Sequence, residues 1–392
     1  MRLAYVCADP GVPVFGRKGC SVHVQEVLRA LHGHGARVEL FAVRFDGDPP
    51  PGLETVGIHR LPAGPKGERP ARERATLAAN RDLLQALERA GPFDVVYERY
   101  ALWSYAGMEY ARARGVPGLL EVNAPLIEEQ AEHRGLVDRA GAERVAERVF
   151  AAAAALLTVS EEVAAYLERY PAALGRLHVV PNGVNPDRFV PGLRPSRPGR
   201  PGTFTVGFLG SLKAWHGLPV LVEAFARLQD GASGSRLLVV GDGPERARLE
   251  ADLAARGLAQ AAQLTGAVDP GEVPGLLASM DVAVAPYPNL ENFYFSPLKV
   301  YEYMAAGLPV VASRIGQLAG LIRDGVNGIL CPPGDSGALA EALERLRQEP
   351  EWGTRLGQAA RATVLRDHTW AAVARRILRL AGLGTSAACG SA

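Results

Sequence analysis

A helix start that could bind phosphate lies in the segment FYFSPLKVYEYMAAGLPVVAS, residues 293–313. Ser296 suits the N-cap, and Pro297 suits the first helical position, where its missing N–H has no cost. Gly307 suits the C′ position after the helix, and Pro309 prevents the helix from resuming. The pattern therefore predicts a short helix that is followed directly by a buried strand.

The amino end of this helix has the residue types that an anion needs. The amides of Leu298, Lys299 and Val300 should point out of the helix start, where the helix dipole favours negative charge and the Lys299 ammonium lies beside them. Glu302 is four residues after Leu298 and therefore lies on the same face. A diphosphate could bind the amides while ribose hydroxyls donate to Glu302. The alternative is a solvated ion pair between Lys299 and Glu302 on an ordinary helix face.

Size and composition indicate a globular protein of about two domains. The chain has 392 residues, of which 48% are hydrophobic and 22% charged. A formal net charge of +1 argues against nucleic acid as a partner. We expect neither a signal peptide nor a membrane span, because the apolar runs are too short. The four cysteines have no metal-site spacing, and they favour a reducing, cytoplasmic location.

Strand and helix signals alternate along the whole chain, which predicts an α/β protein with parallel sheets. Continuous apolar runs such as VAVAP and PVVAS indicate strands that are covered on both faces. We predict twelve strands, at residues 2–8, 37–43, 94–100, 118–122, 155–160, 178–180, 203–209, 236–240, 262–265, 281–286, 309–312 and 328–331. The more prominent helical patterns between them cover residues 21–32, 70–90 and 103–114.

The two halves of the chain begin alike, with a strand, a glycine-bearing loop and a helix. We therefore predict two doubly wound, Rossmann-like domains, at residues 1–190 and 203–369, facing a central cleft. The segment 191–202, PGLRPSRPGRPG, is typical of an exposed linker. A last helix at 370–384 could cross back to the first domain, and residues 385–392 are predicted to be a flexible tail.

Glycines follow several predicted strands at positions where a backbone could approach a phosphate or a sugar. The loop with Gly16 and Gly19 could instead be a plain strand–helix turn, and the Gly241 turn could shape the cleft floor without contacting a ligand. Two further side chains beside these loops, Lys213 and His216, could meet a phosphate, and His23 opens the helix after the first loop. The glycines that we assign to ligand binding on this basis are Gly16, Gly19, Gly210, Gly241 and Gly266.

Seven motifs in order resemble the retaining glycosyltransferases of family four, which have the GT-B fold. They are VPNGVN, FLGSLKAWHG, VVGDGPE, LTGAVD, DVAVAPYPN, SPLKVYEYMAAGLPVVAS and DGVNGILCPPGD, and GRKGCSVHVQEV and LTVSEEV extend the resemblance into the first half. The resemblance implies a nucleotide-sugar donor in the second domain and an acceptor mainly in the first. It also implies that no metal is essential, and we expect no cofactor.

The sequence departs from the family pattern at several positions. The family's paired glutamates are eight residues apart, and Tyr294 stands where the first would precede Glu302. The phosphate-loop arginine and lysine fall on Ser211 and His216, so that Lys213 and Lys299 would supply the positive charge. The histidine often found after the fifth strand falls on Asn123.

These departures leave the details of the site open. Asn123 could contact the sugar but could not transfer a proton as an imidazole does. Glu121 could be a replacement acid or base, an acceptor contact or a strand-end carboxylate. Our assignment makes Lys213, Lys299 and Asn123 catalytic and His23 and Glu121 acceptor-binding. The donor-binding set is Gly16, Gly19, Gly210, His216, Gly241, Gly266, Tyr294, Ser296, Leu298, Val300 and Glu302.

The expected reaction is transfer of a hexosyl group from a nucleoside diphosphate sugar to an acceptor hydroxyl, with retention of configuration. The acceptor could be a small molecule, a glycan or a lipid-linked molecule. Mixed charges at residues 69–89 and 134–148 leave peripheral membrane contact possible. Alternatives are a nucleotide-sugar epimerase, a pseudo-glycosyltransferase and a non-catalytic relative that binds nucleotide sugars.

Overall fold

The computed structural model describes residues 1–65, 67–231 and 234–383, which divide into two compact units. The first unit contains Met1–Pro181, the short segment Tyr294–Ser296 and the described residues from Trp370 onward. The second contains Asn182–Phe293 and Pro297–Thr369. Residues 182–190, which the sequence analysis placed in the first domain, cluster with the second unit. The predicted tail, 385–392, lies outside the described residues, as does residue 384 at the end of the predicted last helix.

A seven-stranded parallel sheet with the order β3-β2-β1-β4-β5-β6-β7 forms the centre of the first unit. Its elements are β1 (Arg2–Cys7), α1 (Gly19–Gly33), β2 (Arg37–Ala42), β3 (Gly57–Arg60), α2 (Arg69–Ala78), α3 (Asn80–Ala90), β4 (Val95–Arg99), α4 (Ala106–Arg114), β5 (Gly118–Val122), α5 (Leu126–Glu129), α6 (Arg139–Ala152), β6 (Ala155–Thr158), α7 (Glu161–Leu167) and β7 (Leu177–Val179).

Two features of the first unit differ from the prediction. The edge strand β3 was not predicted, because GIHR has no apolar run and is only partly buried. The single helix predicted at residues 70–90 is divided between α2 and α3. The Asn80 side chain accounts for the break, because its oxygen accepts from the amides of Tyr105 (2.9 Å) and Ala106 (3.0 Å) at the start of α4.

The second unit has a six-stranded parallel sheet with the order β10-β9-β8-β11-β12-β13. Its elements are β8 (Phe204–Leu209), α8 (Leu218–Gly231), β9 (Ser235–Val240), α9 (Arg246–Ala255), β10 (Ala262–Leu264), α10 (Val273–Leu277), β11 (Val282–Ala285), α11 (Leu298–Ala305), β12 (Val310–Ser313), α12 (Gly316–Leu321), β13 (Ile329–Cys331), α13 (Ser336–Gln348) and α14 (Pro350–Asp367). The final helix, α15 (Trp370–Leu380), packs against α1 in the first unit.

Both sheets are doubly wound, which positions their ligand sites. In each, the first strand lies inside the sheet, and the chain builds outward on one side before it crosses to the other. Ligands bind at such a switch point, outside the carboxyl ends of the two strands that meet there. The switch strands are β1 and β4 in the first unit and β8 and β11 in the second. No helix among the described residues is long and apolar enough to cross a membrane.

Candidate functional site

The switch point of the second sheet holds a buried lysine. Lys299, from the first turn of α11, is 8% exposed. Its Nζ lies 4.1 Å from the ring centre of Phe208 on β8 and 5.2 Å from that of Tyr287, two residues after β11. A Cβ atom built on Gly210 would lie 3.3 Å from this Nζ. Lys299 therefore brings an amine to the crevice where a doubly wound sheet binds its ligand.

Burial makes this amine unusual. Nζ has no hydrogen-bond partner among the described residues, and the two aromatic faces supply only cation–π attraction. Burial lowers the pKa of Lys299 to about 7. An unpaired buried cation is costly and would gain strongly from an anion. The site therefore favours a negatively charged ligand.

The helix that carries Lys299 differs from the prediction at its start. It begins at Leu298, with Pro297 as the N-cap, one residue later than predicted, so Ser296 is not the cap. The Val300 amide donates to the Pro297 carbonyl (3.1 Å), whereas the prediction had it pointing freely out of the helix. The amides of Leu298 and Lys299 remain the helix-end donors, because helix geometry provides no intrahelical acceptor for them. At the other end, Gly307 has φ 75° and its amide bonds Met304, which confirms the predicted C′ position.

Glu302 is on α11, one turn beyond the helix start, and it is bound to an arginine. Its Oε1 accepts from a terminal nitrogen of Arg188 at 2.9 Å, and the two side chains are 16% and 19% exposed. The alternative of a pair with Lys299 is therefore wrong, since the Lys299 amine points into the switch point. Glu302 remains a candidate ribose ligand, with Arg188 holding one of its oxygens.

The loop after β8 has only part of the charge that was expected from it. His216 Nδ1 lies 2.5 Å from the Ser211 carbonyl and must donate to it, which leaves Nε2 as an acceptor in the neutral ring. Burial, with the nearby Lys299 charge, lowers the pKa of His216 to about 3. His216 could therefore donate to a phosphate only after taking up a proton. The loop's cation is Lys213, whose Nζ lies 5.6 Å from the Trp215 ring centre.

Three of the predicted glycines come together beside this loop. The Gly241 amide donates to the Gly266 carbonyl at 3.1 Å. A Cβ on Gly241 would lie 2.0 Å from the Gly210 carbonyl oxygen, so only glycine fits there. The loops after β8, β9 and β10 therefore pack against one another at the same edge of the sheet. Contacts of Gly210, Gly241 and Gly266 with a base or phosphate stay a prediction.

Tyr294, in the position of the family's first glutamate, clusters with the first unit. Its hydroxyl donates to Glu129 of α5 at 2.5 Å, and its carbonyl accepts from the Ser160 hydroxyl at 2.9 Å. Burial and the Glu129 carboxylate raise the pKa of Tyr294. Ser296, predicted with Tyr294 to bind donor, is buried in the same segment. The tyrosine hydroxyl is therefore bound to a carboxylate of the first unit, Glu129.

A buried polar network occupies the carboxyl ends of β4 and β5 in the first unit. Glu121 Oε1 accepts from Tyr97 at 2.8 Å and lies 2.7 Å from His23 Nε2, and its Oε2 is 3.5 Å from Arg99. Burial acts to raise the pKa of Glu121, but His23, Arg99 and Tyr97 outweigh it and lower the pKa to about 2. Glu121 is therefore a fixed carboxylate rather than an acid near neutral pH. The acceptor roles of Glu121 and His23 remain predictions, and both side chains are at most 6% exposed.

The remaining predicted residues of the first unit lie on loops at this edge of the sheet. Asn123 directly follows β5, and its buried Oδ1 has no hydrogen-bond partner among the described residues. Gly16 closes a turn, since its amide bonds the Pro13 carbonyl (2.9 Å) and its carbonyl accepts from Gln25. Gly19 is the first residue of α1. Asn123 is thus the residue of this group with an unused polar atom.

Both halves of the sequence match families of known proteins. Residues 17–188 match the model described as Glycosyltransferase Family 4, and residues 203–349 match the one described as Glycosyl transferases group 1. A D-inositol 3-phosphate glycosyltransferase of Stackebrandtia nassauensis is 31% identical, over 92% of this chain and 85% of that protein. The chain belongs to glycosyltransferase family four. A 2-deoxystreptamine glucosyltransferase of Streptomyces kanamyceticus is also 30% identical to this glycosyltransferase, over 84% of the chain and 89% of that protein.

Solved structures show the fold of this glycosyltransferase. A sucrose-phosphate synthase from Thermosynechococcus elongatus superposes with a TM-score of 0.74 at 23% identity, over 97% of this chain and 98% of that one. The Anabaena protein HepE, solved in complex with UDP-glucose, gives 0.73 at 18% identity and the same coverage. The predicted family and GT-B fold are confirmed.

Sequence reasoning missed three residues that contact candidate site residues of the glycosyltransferase: Tyr97, Arg99 and Arg188. Arg99 and Tyr97 could have been found, because they alternate at the end of a predicted strand beside the one that carries Glu121. No local signal marks Arg188, whose partners lie 82 and 114 residues away.

Proposed function

We propose that this glycosyltransferase moves a hexosyl group from a nucleoside diphosphate sugar to a hydroxyl of a polyhydroxylated small molecule, with retention of configuration. The observation that carries the proposal is the buried Lys299 amine at the switch point of the second sheet, which has no hydrogen-bond partner in the described part of the chain. A diphosphate supplies the negative charge that this position lacks. Structures of the neighbour HepE contain UDP and UDP-glucose, which supports the same ligand class here.

The main catalytic task in this proposal is to stabilise charge on the leaving diphosphate. Lys299 and the amides of Leu298 and Lys299 are fixed before the ligand arrives, so little reorganisation is needed. Lys213 adds a second cation from the loop after β8. Glu302 accepts from the ribose, and the backbones at Gly241 and Gly266 contact the base or phosphate.

The first unit is proposed to hold the acceptor. Relatives named for inositol 3-phosphate and for 2-deoxystreptamine act on ring polyols, which supports a hydroxyl-rich acceptor of that kind. Asn123, whose buried oxygen has no hydrogen-bond partner among residues 1–65, 67–231 and 234–383, is the residue that we assign to the transfer step in this unit. Glu121 and His23 would act mainly by holding the strand ends in place. Retention is proposed from the family resemblance, through attack on the face from which the diphosphate leaves.

A thermal-shift screen with nucleoside diphosphates and their sugars tests the proposal. A ligand at one hundred times its Kd should add about 2.7 kcal/mol of stability. The donor that shifts the transition is then incubated with inositols, aminocyclitols and simple sugars. Mass spectrometry should detect an added hexosyl group, and the anomeric proton coupling of the product should match that of the donor. If no nucleotide shifts the transition, the proposal is wrong.

A further inference from the structure

Arg188 connects the loop after β10 to the carboxylate of α11. It ends a single helical turn, Pro186–Arg188, that precedes the second sheet. One terminal nitrogen donates to Glu302 Oε1 at 2.9 Å, and the other donates to the Pro270 carbonyl at 2.6 Å. Pro270 is four residues beyond Gly266, whose carbonyl bonds Gly241. One planar group therefore contacts both the proposed ribose ligand and the loop proposed to lie near the base.

The Arg188–Glu302 pair should contribute more than an ion pair on the protein surface. Exposed pairs contribute little, because water screens them and long side chains lose entropy in forming them. Here the guanidinium is 19% exposed and the carboxylate 16%. The two short bonds use the fixed fork of the guanidinium, which a lysine cannot reproduce. Glu302 is thereby held in one orientation, and its charge is balanced near a site that must accept a diphosphate.

We propose that Arg188 is a positioning residue that fixes Glu302 for the ribose hydroxyls, so that the site selects ribonucleotides over deoxyribonucleotides. This inference rests on the proposed function, because it assumes that the ligand of the second unit is a nucleoside diphosphate. Arg188 does not itself contact the nucleotide. Its effect reaches the ligand through the orientation of Glu302.

The chain offers a matched control for this proposal. Arg361, on α14, donates to the backbone carbonyls of Phe189 and Ala305, and so ties the same segment to the same helix through main-chain acceptors. Removing Arg361 should loosen this packing as much as removing Arg188. Only the Arg188 variant should lose the fixed orientation of the Glu302 carboxylate.

The test compares the Kd of uridine, adenosine and guanosine diphosphates with the Kd of their 2′-deoxy and 3′-deoxy analogues. The variants are Arg188→Ala, Arg188→Lys, Glu302→Gln and Arg361→Ala in the full chain, with the melting temperature of each. The wild type should prefer the ribonucleotide by about tenfold or more, the size expected for a hydrogen bond to a charged group. The preference should fall to about threefold or less in Arg188→Ala and in Glu302→Gln, and Arg188→Lys should be intermediate. It should stay at the wild-type ratio in Arg361→Ala.

Each result has a definite meaning. A double variant that combines Arg188→Ala with Glu302→Gln should lose no more selectivity than either change alone, since both act through one carboxylate. An unchanged ratio in Arg188→Ala, or an equal loss in Arg361→Ala, overturns the positioning role and leaves the proposed function standing. If Arg188→Ala does not fold, the ratio in Arg188→Lys decides, and a wild-type value there overturns the role. A wild type that binds no nucleotide overturns both proposals.

Discussion

A buried lysine amine makes the native state sensitive to pH. The pKa of Lys299 is about 7 in the folded protein and near 10.4 when unfolded. Between these values the unfolded chain binds more protons than the native one, so this residue makes stability rise with pH. Below pH 7 the amine is charged in both states and the burial cost is present in full.

The variant Lys299→Met tests whether Lys299 makes the stability of the protein rise with pH. The variant keeps the length and apolar packing of the stem without the charge, and should be more stable than the wild type at pH 6. The difference should shrink as pH rises from 7 to 10, because the wild-type amine loses its proton. Urea unfolding at pH 6, 8 and 10 measures this difference in the free energy of unfolding between the variant and the wild type. A difference that is constant with pH would contradict the lowered pKa of the buried Lys299 amine.

The same amine should couple nucleotide binding to proton uptake. A diphosphate stabilises the charged form, so at pH 8 binding should take up a proton, and calorimetry in two buffers of different ionisation enthalpy would detect it. In Lys299→Met the uptake should disappear and affinity should fall about tenfold or more. Lys213→Met is the control, because it removes a loop cation from the same site. It should weaken binding while the proton uptake remains.

At the scale of elements, tight loops hold the strand ends of the second sheet together. Gly217, which ends the loop after β8, has φ 71°, and a Cβ there would lie 1.7 Å from the Pro286 carbonyl oxygen after β11. No rotamer change relieves a clash between a Cβ and backbone. The distance between the two switch strands therefore depends on this glycine.

Gly217→Ala should destabilise the protein by more than about 1 kcal/mol, since both the positive φ and the contact oppose a side chain. Gly320→Ala is the matched control within α12, where a Cβ would meet no atom within 4 Å. That change should stabilise by about 0.5–1 kcal/mol, the ordinary gain for alanine over glycine in a helix. Denaturant unfolding of both variants measures the contrast. Equal effects would show that the loop tolerates a side chain.

The elements also show how far the sequence could predict this structure. Apolar runs identified all the central strands, because strands covered on both faces need little context. Strand β3 and the break between α2 and α3 were missed, because an edge pairing and the Asn80 bonds depend on distant residues. In the candidate site, the placement of Lys299 and Glu302 on one short helix was predicted from the sequence. The partner of Glu302 was not, because Arg188 approaches through tertiary packing alone.

At the scale of the whole molecule, the two units differ in the charged groups that they bury beside their switch strands. In the first, the Glu121 carboxylate is matched by His23 and Arg99. In the second, the Lys299 amine has no hydrogen-bond partner among the described residues. The unit whose buried amine has no hydrogen-bond partner among the described residues should bind the nucleotide.

Hydrogen exchange should therefore separate the two units. A nucleoside diphosphate alone should protect amides at 210–217, around Gly241 and Gly266, and at the start of α11. Amides of β5 and β6 should keep their exchange rates. Mass spectrometry with and without nucleotide would show the pattern. Protection confined to the first unit would contradict the proposal that the nucleotide binds the second unit.

The return of α15 to the first unit has a consequence for synthesis on the ribosome. Trp370, the first residue of α15, packs edge-on against His23 of α1, with ring centres 5.2 Å apart. His23 in turn contacts Glu121, so the last helix borders the first unit's buried network. Residues 182–369, which separate the two parts, take about 10–40 s to translate at 5–20 residues per second. Throughout that interval the nascent first unit lacks its final helix, so its folding can be completed only after the second unit has left the ribosome.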